Sequence, residues 1–240
     1  MSELAVNVDH IATLREARKI NYPDPVVAAG IIETAGVDGI VCHLREDRRH
    51  IQDRDVRLLR EIVQTRLILE MAATKEMLNI ALSVMPDVVT LVPEKRVEVT
   101  TEGGLDLTSN KVNIAKAVET LKNSGIKVCI FIDPDPAQIK MAHKIGSDSI
   151  EIHTGAYCEA KTEEEKISTF SDIVDAANFG KKLSMGVNAG HGLCYNSIKR
   201  FKGHNNLIEE FSIGHSIIAR AAFVGLDRAV KEMHAIVKEL

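Results

Sequence analysis

The sequence predicts an α/β protein, a closed (β/α)₈ TIM barrel with additional helices. Eight short apolar runs recur at regular spacing along the 240 residues, and segments with helical periodicity lie between them. Each unit therefore takes about 30 residues, the size of one βαβ repeat. Because the runs are apolar along almost their whole length, they are typical of parallel strands that are buried on both faces.

The predicted strands are short and rich in Val, Ile and Leu, as buried strands are. They comprise residues 3–8, 38–42, 66–71, 87–92, 127–132, 148–152, 183–188 and 210–214. The alternative to a closed barrel is an open doubly wound sheet, in which a G-x-G-x-x-G motif often follows the first strand. In this chain Asp9 and His10 follow the first strand instead, and the closed barrel is favoured.

The predicted helices have apolar residues at every third or fourth position. They comprise residues 25–35, 53–64, 75–85, 111–123, 136–145, 163–179 and 220–238. Gly36, Gly125 and Gly146 stand where a helix end favours a left-handed residue, each just before the next strand, so these connections are short. No linker-like segment or shift in composition divides the chain, which predicts a single barrel domain over residues 1–240.

Composition and charge exclude several classes of protein. With 45% hydrophobic and 27% charged residues, the chain can build a large core. A net charge of −4 disfavours a protein that binds nucleic acid. No apolar run approaches the ~20 residues that cross a bilayer, and the first ten residues do not resemble a secretory signal. These features predict a cytoplasmic protein with neither nucleic-acid nor membrane partners.

The four cysteines, Cys42, Cys129, Cys158 and Cys194, are scattered along the chain without a CxxC pair. Such spacing is typical of free thiols in a reducing compartment and does not indicate a structural zinc site.

Polar side chains follow nearly every predicted strand. In a (β/α)₈ barrel the active site forms at the carboxyl ends of the strands, where the eight βα loops meet. In chain order these side chains are Asn7, Asp9, His10, His43, Arg45, Glu70, Glu94, Lys95, Arg96, Thr100, Asp133, Glu151, His153, Asn188, His191 and His215. A single histidine is more often structural than catalytic, but five of the nine histidines belong to this set, which indicates acid–base chemistry.

Glu70 and Glu151 lie inside otherwise apolar strands, in the segments RLILEMA and DSIEIHTG. Burial raises the pKa of a carboxyl group because the charged form loses its hydration, and a pKa near neutrality suits a general acid or base. The alternative is a buried ion pair that braces the barrel. The sequence favours a catalytic role for Glu70 and leaves both interpretations open for Glu151.

Two regions could bind phosphate groups. Residues 188–192 and 213–216 are glycine-containing loops after the last two strands, where barrels of this class often bind phosphate at a helix N-terminus. On the other side of the opening, cationic side chains follow the first two strands, in the dense charge run of residues 45–55 and before it. They are Arg18, Arg45, Arg48, Arg49 and His50. Two anion sites at one opening predict two phosphorylated small-molecule substrates.

Histidines and carboxylates at strand ends also occur in metal-dependent hydrolases of this fold. The first strand carries no H-x-H pair, and Asp9 and His10, as neighbours on an extended chain, are expected to point to opposite faces. No lysine lies in mid-strand, where it could be carbamylated or form a Schiff base. The sequence therefore does not indicate a metal site.

Nine segments carry a more specific signal. They are NVDHIATLREAR (7–18), YPDP (22–25), HLREDRRHIQDRD (43–55), LEMAAT (69–74), LVPEKRVEVTTEGGLDL (91–107), FIDPD (131–135), IEIHTGAY (150–157), VNAGHGL (187–193) and IGHSIIARA (213–221). Together they closely resemble the pyridoxine 5′-phosphate synthase family, the ring-closing enzymes of deoxyxylulose-dependent vitamin B6 biosynthesis. The resemblance covers essentially the full chain.

The resemblance implies a (β/α)₈ barrel with additional helices that assembles as an octamer built from dimers. It implies a transferase-type synthase that condenses 1-deoxy-D-xylulose 5-phosphate with 3-amino-2-oxopropyl phosphate. The products would be pyridoxine 5′-phosphate, inorganic phosphate and water, formed by imine formation, phosphate elimination and ring closure. It implies neither an organic cofactor nor a metal ion.

The resemblance also assigns roles to residues of this chain. The acid–base catalysts would be His43, Glu70 and His191, with Glu151 stabilising charge in the transition states. The deoxyxylulose phosphate would be held by Asp9, His10, Arg45, His50 and Thr100. The amino-ketone phosphate would be held by Asn7, Arg18, Gly192, Gly214 and His215.

A ring closure of this kind needs proton transfers at several atoms, more than one histidine can serve from one position. Its reactive intermediates also predict a loop that closes over the site, residues 93–107, with Gly103 and Gly104 as a hinge. Two other functions stay open, namely a lyase or isomerase of sugar phosphates and a non-catalytic protein that binds phosphorylated metabolites. Buried acid–base groups speak against the second, since binding alone does not require them.

Overall fold

The computed structural model describes residues 1–93, 103–109, 111–204 and 206–240. Within them, eight parallel strands form a closed barrel in which each strand pairs with the next and β8 pairs with β1. The strands are β1 Glu3–Asn7, β2 Gly39–His43, β3 Leu67–Met71, β4 Val88–Leu91, β5 Lys127–Ile132, β6 Ser149–His153, β7 Gly186–Gly190 and β8 Glu210–Ile213. The predicted (β/α)₈ fold is confirmed.

Helices surround the barrel and connect successive strands. They are α1 Asp9–Arg18, α2 Pro25–Thr34, α3 Asp53–Ile62, α4 Lys75–Val84, α5 Lys111–Asn123, α6 Pro136–Lys144, α7 Gly155–Glu159, α8 Glu163–Lys182, α9 His215–Val224 and α10 Leu226–Lys238, with a 3₁₀ helix at Ser197–Phe201. Among the described residues, no helix combines the length and the apolar character that a membrane span requires.

Local sequence explains where helices α2 and α6 begin. Asp24 accepts a hydrogen bond from the backbone N–H of Val26 at 2.9 Å, and Asp135 accepts one from Ala137 at 2.8 Å. In both cases proline occupies the first helical position, where no N–H group is needed. The predicted helix ends are also confirmed, because Gly36, Gly125 and Gly146 all have positive φ, between 84° and 95°.

Some predicted elements were wrong. The helix expected at 220–238 is two helices, because Gly225 between them has φ 86° and ψ 154°, a conformation that no α-helix contains. The strand expected at 183–188 begins only at Gly186, since α8 continues to Lys182 and Ser184 then takes a left-handed φ of 58°. Helices α1 and α7 were not predicted.

The two faces of the strands pack against different partners. Side chains of one face, such as Leu4, Ile40 and Leu69, join the apolar residues of the surrounding helices in one large buried cluster. The alternate residues face the barrel interior, where Ala5, Val41 and Ile68 form a small separate apolar cluster. The candidate site lies at the carboxyl ends of the strands, above this interior layer.

Candidate active site

A cavity of about 630 Å³ opens at the carboxyl ends of the strands, as the sequence predicts. Its wall includes most of the predicted site residues. They are Asn7, Asp9, His10, His43, Arg45, His50, Glu70, Glu151, His191, Gly192, Gly214 and His215. A space of this size accommodates small phosphorylated molecules. The fold therefore brings together residues from six segments that are far apart in the chain.

Two predicted binding residues are not among the described residues of this wall. Arg18 is exposed in the last turn of α1 and does not line the cavity. Thr100 lies outside the described residues, as do Glu94, Lys95 and Arg96 and most of the predicted closing loop. Of that loop, the described residue Gly104 donates a backbone hydrogen bond to Asp133 Oδ1 at 2.9 Å.

Asp9 is held in a fixed position between β1 and β2. Its Oδ1 accepts the backbone N–H of His43 at 2.8 Å, and its Oδ2 accepts the side-chain amide of Asn7 at 3.0 Å. Burial raises the pKa of Asp9 to about 6, although these hydrogen bonds and the charges of His10 and Arg45 oppose the shift. Asp9 is therefore partly protonated near neutral pH.

The sequence analysis placed Asp9 and His10 on an extended chain with their side chains on opposite faces, and this expectation was wrong. Both residues belong to the first turn of α1, where consecutive side chains are about 100° apart, and both line the cavity. The helix begins without a side-chain cap, so the usual helix-start signal is missing from the sequence.

Glu70 and His43 stand next to each other on β3 and β2, with Glu70 Oε2 3.7 Å from His43 Nδ1. Burial, and secondarily the nearby charge of Asp9, raises the pKa of Glu70 to about 8. Burial, together with Arg45 and His50, lowers the pKa of His43 well below its usual value. At neutral pH the cavity thus holds a protonated carboxyl group beside a neutral imidazole.

The His43 ring has one unused polar atom. Its Nε2 is buried and has no hydrogen-bond partner among the described residues. Because a buried polar atom without a partner costs free energy, this nitrogen is suited to a partner that arrives with the substrate.

The charge run at residues 45–55 divides into two parts. Arg48 pairs with Asp53 and Glu76 near the surface, as a solvated loop would. Arg45 and His50 are instead buried in the cavity wall. The run therefore contains both solvated surface ion pairs and buried cationic residues of the cavity wall.

A buried ion pair holds the segment that carries Arg45 and His50 in position. Arg15 on α1 makes two hydrogen bonds with Asp55 on α3, at 2.9 and 2.7 Å, and donates a third to the backbone oxygen of His50 at 3.0 Å. His50 Nδ1 accepts the backbone N–H of Ile51 at 2.7 Å, which leaves Nε2 as the protonated, donating nitrogen. Burial and the neighbouring Arg45 lower the pKa of His50 to about 4. His50 is therefore a neutral donor.

Glu151 lies in mid-strand on β6 and is almost fully buried. Burial, and then the charges of Glu70 and Glu210, raises its pKa well above the usual value. Gly190 on β7 makes room for it, since a Cβ atom at that position would lie 2.0 Å from Glu151 Oε1. Of the two interpretations left open for Glu151, the protonated buried carboxyl fits better, because no ion-pair partner is recorded for it among the described residues.

A second group of imidazoles lies on the side of β5–β7. His191 follows β7 with φ 74°, and burial, together with the charges of His153 and Arg45, lowers its pKa to about 4. The rings of His191 and His153 are 4.9 Å apart, and His153 Nδ1 lies 2.9 Å from Asp133 Oδ1. Asp133 lies just after β5, and His153 is the last residue of β6. Their hydrogen-bonded pair thus packs beside the His191 ring.

The two glycine loops after β7 and β8 meet at the cavity. Gly214 passes close to β1, since a Cβ atom there would lie 2.9 Å from the Cβ of Asn7. Helix α9 begins at His215, whose ring packs against that of His10 with centroids 4.7 Å apart. Gly192 and the N-terminus of α9 therefore border the same opening, an arrangement that favours anion binding.

Among the described residues, one group of side chains could hold a metal ion. Asp9, His43 and Glu70 each offer one ligand atom, and these atoms lie within 4.8 Å of one another. The sequence did not indicate this group, because Asp9 and His10 were expected to point to opposite faces. The pKa values of all three residues are displaced, so a proton and a cation would compete for them.

Several wall residues were not predicted as site residues. They include Thr13, Val92, Phe131, Leu193, Cys194 and Ser212. Most are apolar or small and carry no chemical signal in a single sequence. The inward face of the strands would have identified Phe131 and Ser212, because each pairs in register with a predicted site residue or its neighbour.

Comparison with known proteins gives a consistent result. A model of the family described as pyridoxal phosphate biosynthesis protein PdxJ matches residues 4–239. Over 240 residues, covering all of both chains, the sequence is 61% identical to a pyridoxine 5′-phosphate synthase of Desulforapulum autotrophicum and 58% identical to one of Desulfatibacillum aliphaticivorans.

Solved structures share the fold at low sequence identity. A crystal structure of KGPDC from Streptococcus mutans has a TM-score of 0.68 at 13% identity and covers 99% of this chain and 98% of its own. Phosphoribosyl anthranilate isomerase from Thermus thermophilus has a TM-score of 0.62 at 10% identity, with 98% of each chain covered. These likenesses support the barrel fold alone.

Proposed function

Because the chain belongs to the pyridoxine 5′-phosphate synthase family, we propose that it condenses 1-deoxy-D-xylulose 5-phosphate with 3-amino-2-oxopropyl phosphate in the cavity described above. The products are pyridoxine 5′-phosphate, inorganic phosphate and water. The observation that carries this proposal is the opposite protonation of neighbouring groups, a protonated Glu70 beside a neutral His43.

Ring closure by imine formation and aldol-type attack needs both proton donors and proton acceptors at the same pH. Glu70 serves as the donor, since its pKa of about 8 leaves it protonated at neutrality. His43 and His191 serve as acceptors, since their lowered pKa values leave both imidazoles neutral. Glu151 lies deeper in the barrel, where its carboxyl group stabilises charge that develops on the ring atoms.

The two substrates carry one phosphate group each, and the cavity has two borders that suit them. Arg45 and His50, with Asp9 and His10, form the border for the deoxyxylulose phosphate. Gly192, Gly214 and His215, with Asn7, form the border for the amino-ketone phosphate. In this proposal Thr100 and Arg18 complete the two borders. Thr100 lies outside the described residues, and Arg18 does not line the cavity.

The closing loop, the cytoplasmic location, the transferase-type classification and the assembly into an octamer of dimers belong to this proposal. Burial of so many titratable groups favours a reaction that excludes water while intermediates exist. Sedimentation of the purified protein tests the octamer independently of activity.

The function is tested by mixing the purified protein with the two substrates in the presence of a chelator and following ring absorbance and phosphate release together. Equal amounts of ring and phosphate are expected, without a requirement for added metal. Phosphate without the ring would favour a lyase instead. Activity that appears only when a divalent cation replaces the chelator would assign the Asp9–His43–Glu70 group to that ion.

A further inference from the structure

Two of the four cysteines lie together beside the cavity. Cys194 follows β7 and lines the cavity, and Cys158 is in α7 just behind it. Both are half-buried free thiols, whereas Cys42 and Cys129 are fully buried in the barrel wall. Cys194 is therefore open to small reagents that enter the cavity, whereas Cys42 and Cys129 are not.

One hydroxyl group connects the two accessible sulfurs. Ser197 Oγ donates to Cys194 Sγ at 3.5 Å, and Cys158 Sγ donates to the same oxygen at 3.9 Å. Ser197 Oγ also accepts the backbone N–H of Cys194 at 2.9 Å, which fixes its position. This chain of hydrogen bonds links Cys158 to Cys194 through one hydroxyl group, and the hydroxyl that donates to Cys194 stabilises negative charge on its sulfur.

The surroundings of the two thiols also shift their pKa values in opposite directions. Burial opposes ionisation of Cys194, but the hydrogen bonds from Ser197 and from backbone N–H groups lower its pKa below the usual value. Burial raises the pKa of Cys158. Since the thiolate is the reactive form, Cys194 is the better nucleophile of the two.

We propose that Cys194 and Cys158 form a peroxide-sensitive thiol pair, in which hydrogen peroxide oxidises Cys194 and Cys158 then closes an intrachain disulfide at the cavity wall. In the first step the Cys194 thiolate attacks one oxygen of hydrogen peroxide. The sulfur–oxygen bond of a sulfenic acid forms, the oxygen–oxygen bond breaks, and the hydroxide that leaves takes up a proton to become water.

In the second step the sulfur of Cys158 attacks the sulfur of Cys194, and its proton passes through the Ser197 hydroxyl to the oxygen that leaves Cys194. The sulfur–sulfur bond forms, the sulfur–oxygen bond breaks, and the leaving hydroxide is protonated to water. The two thiols lose two electrons and the peroxide gains them. A dithiol reductant reverses the change.

Disulfide formation would disturb the site. Cys158 already packs against the backbone of Gly192, since a Cβ atom on that glycine would lie 3.0 Å from Cys158 Cβ. Drawing Cys194 towards Cys158 displaces residues 191–194, which line the cavity and include His191. A displacement of about 1 Å in a positioned group can reduce turnover by about 100-fold. We therefore expect a loss of at least about tenfold.

The test uses the full-length protein and hydrogen peroxide, followed by alkylation and trypsin digestion. Cys158 and Cys194 fall on separate tryptic peptides, residues 145–161 and 183–199, with one cysteine each. A linked pair of these peptides, absent after reduction, is expected, while the peptide with Cys129 stays unlinked and serves as internal control. Unmodified Cys194, or links between other cysteines or between two chains, would overturn the proposal.

Variants separate the two steps. Cys158→Ser should accumulate the sulfenic acid, detected as a diketone adduct on Cys194, and Cys194→Ser should form neither adduct nor link. Ser197→Ala should slow adduct formation by about tenfold, the effect of one hydrogen bond to a charged acceptor. An equal rate in Ser197→Ala would remove the role given to that hydroxyl.

Only the activity readout rests on the proposed function. The turnover of each protein is measured before and after peroxide treatment. The turnover of wild type should fall, and that of Cys194→Ser should stay at its untreated value. Equal loss in both proteins would show that inhibition has another cause. A protein that makes the disulfide but never makes the pyridoxine ring would contradict the proposed function and leave the thiol pair intact.

Discussion

The outward face of the strands packs against the helices, whereas the inward face lines the cavity. Leu69 and Glu70 on β3 show this difference. Leu69 points outward and joins the large apolar cluster between strands and helices. Glu70, one residue later, points inward and lines the cavity. Because side chains alternate along a strand, one face can be fully apolar for stability while the other holds buried titratable groups.

The inward face also changes along its length. Near the amino ends of β1–β3 it is closed by Ala5, Val41 and Ile68. Towards the carboxyl ends it carries carboxyl and imidazole groups, with pKa values displaced in opposite directions. The comparison of faces therefore predicts that outward substitutions change stability, and inward ones change activity and the pH dependence of stability.

The largest expected effect is on the inward face. Glu70→Gln removes the proton donor but keeps the shape and hydrogen-bonding ability of the side chain. Turnover should fall by about 1,000-fold, within the range of a general acid–base group, while phosphate binding is retained. Steady-state rates and phosphate-analogue titrations measure both quantities. Exposed Glu119 on α5 offers the matched control Glu119→Gln, and substantial residual turnover of Glu70→Gln would remove Glu70 from the mechanism.

The outward neighbour should give the opposite result. Leu69→Ala removes fully buried methyl groups and leaves a cavity, so the free energy of unfolding should fall by about 3 kcal/mol. Turnover per folded molecule should stay within a few-fold of wild type. Urea unfolding and activity of the folded fraction check this. Leu69→Met conserves volume and should lower the free energy of unfolding by less than about 1.5 kcal/mol. A large loss of turnover in either variant would contradict the claim that outward residues affect stability and not activity.

The Glu70→Gln variant also tests the electrostatic cost of the inward face. The pKa of Glu70 is raised in the folded protein to about 8, above the 4.5 of an unperturbed glutamate. Its favourable contribution is thus complete below pH 4.5 and is lost as pH rises through 8. Glu70→Gln lacks this titration, so its stability relative to wild type should rise by about 4 kcal/mol between pH 4.5 and pH 8.5. Parallel pH profiles of unfolding would mean that Glu70 is not protonated at neutrality.

Much of this division could be read from the sequence, and the failures have physical reasons. The position of Glu70 inside an otherwise apolar run indicated a buried titratable group, and the spacing of such runs predicted the barrel. Helix α1 was missed because it begins at Asp9 without a side-chain cap. The error then concealed how close Asp9 lies to Glu70, since proximity across strands depends on register and on the closing of the barrel.

The pairing of Arg15 with Asp55 was equally hidden. A single sequence shows a charge run but not which members are buried, and 40 residues separate these two. Cys194 gave no signal because its reactivity comes from Ser197 and from backbone N–H groups that only the folded loop brings to it. Local pattern thus predicts elements and faces, whereas side-chain partners require the three-dimensional structure.

Substitution of Glu210 on β8 has the smallest expected effect. It tests whether the amino end of the inward face takes part in catalysis. It is a buried inward carboxyl at the amino end of its strand, outside the cavity wall, and it is hydrogen-bonded to Arg66 at 2.8 Å. Burial raises its pKa to about 7, with Arg66 opposing. Its favourable contribution is complete below pH 4.5 and is lost as pH rises through 7, so Glu210→Gln should gain stability relative to wild type by about 2.5 kcal/mol over that window.

Turnover of Glu210→Gln should stay within about threefold of wild type, because the residue acts on the site only through the charge it presents to Glu151. Unfolding at pH 5 and pH 8, with rates at both, measures the two effects together. Asn188→Ala removes the neighbouring amide that donates to Glu210 at 3.4 Å, and serves as a control for packing. A large loss of turnover in Glu210→Gln would show that the whole inward face, and not its carboxyl end alone, takes part in catalysis.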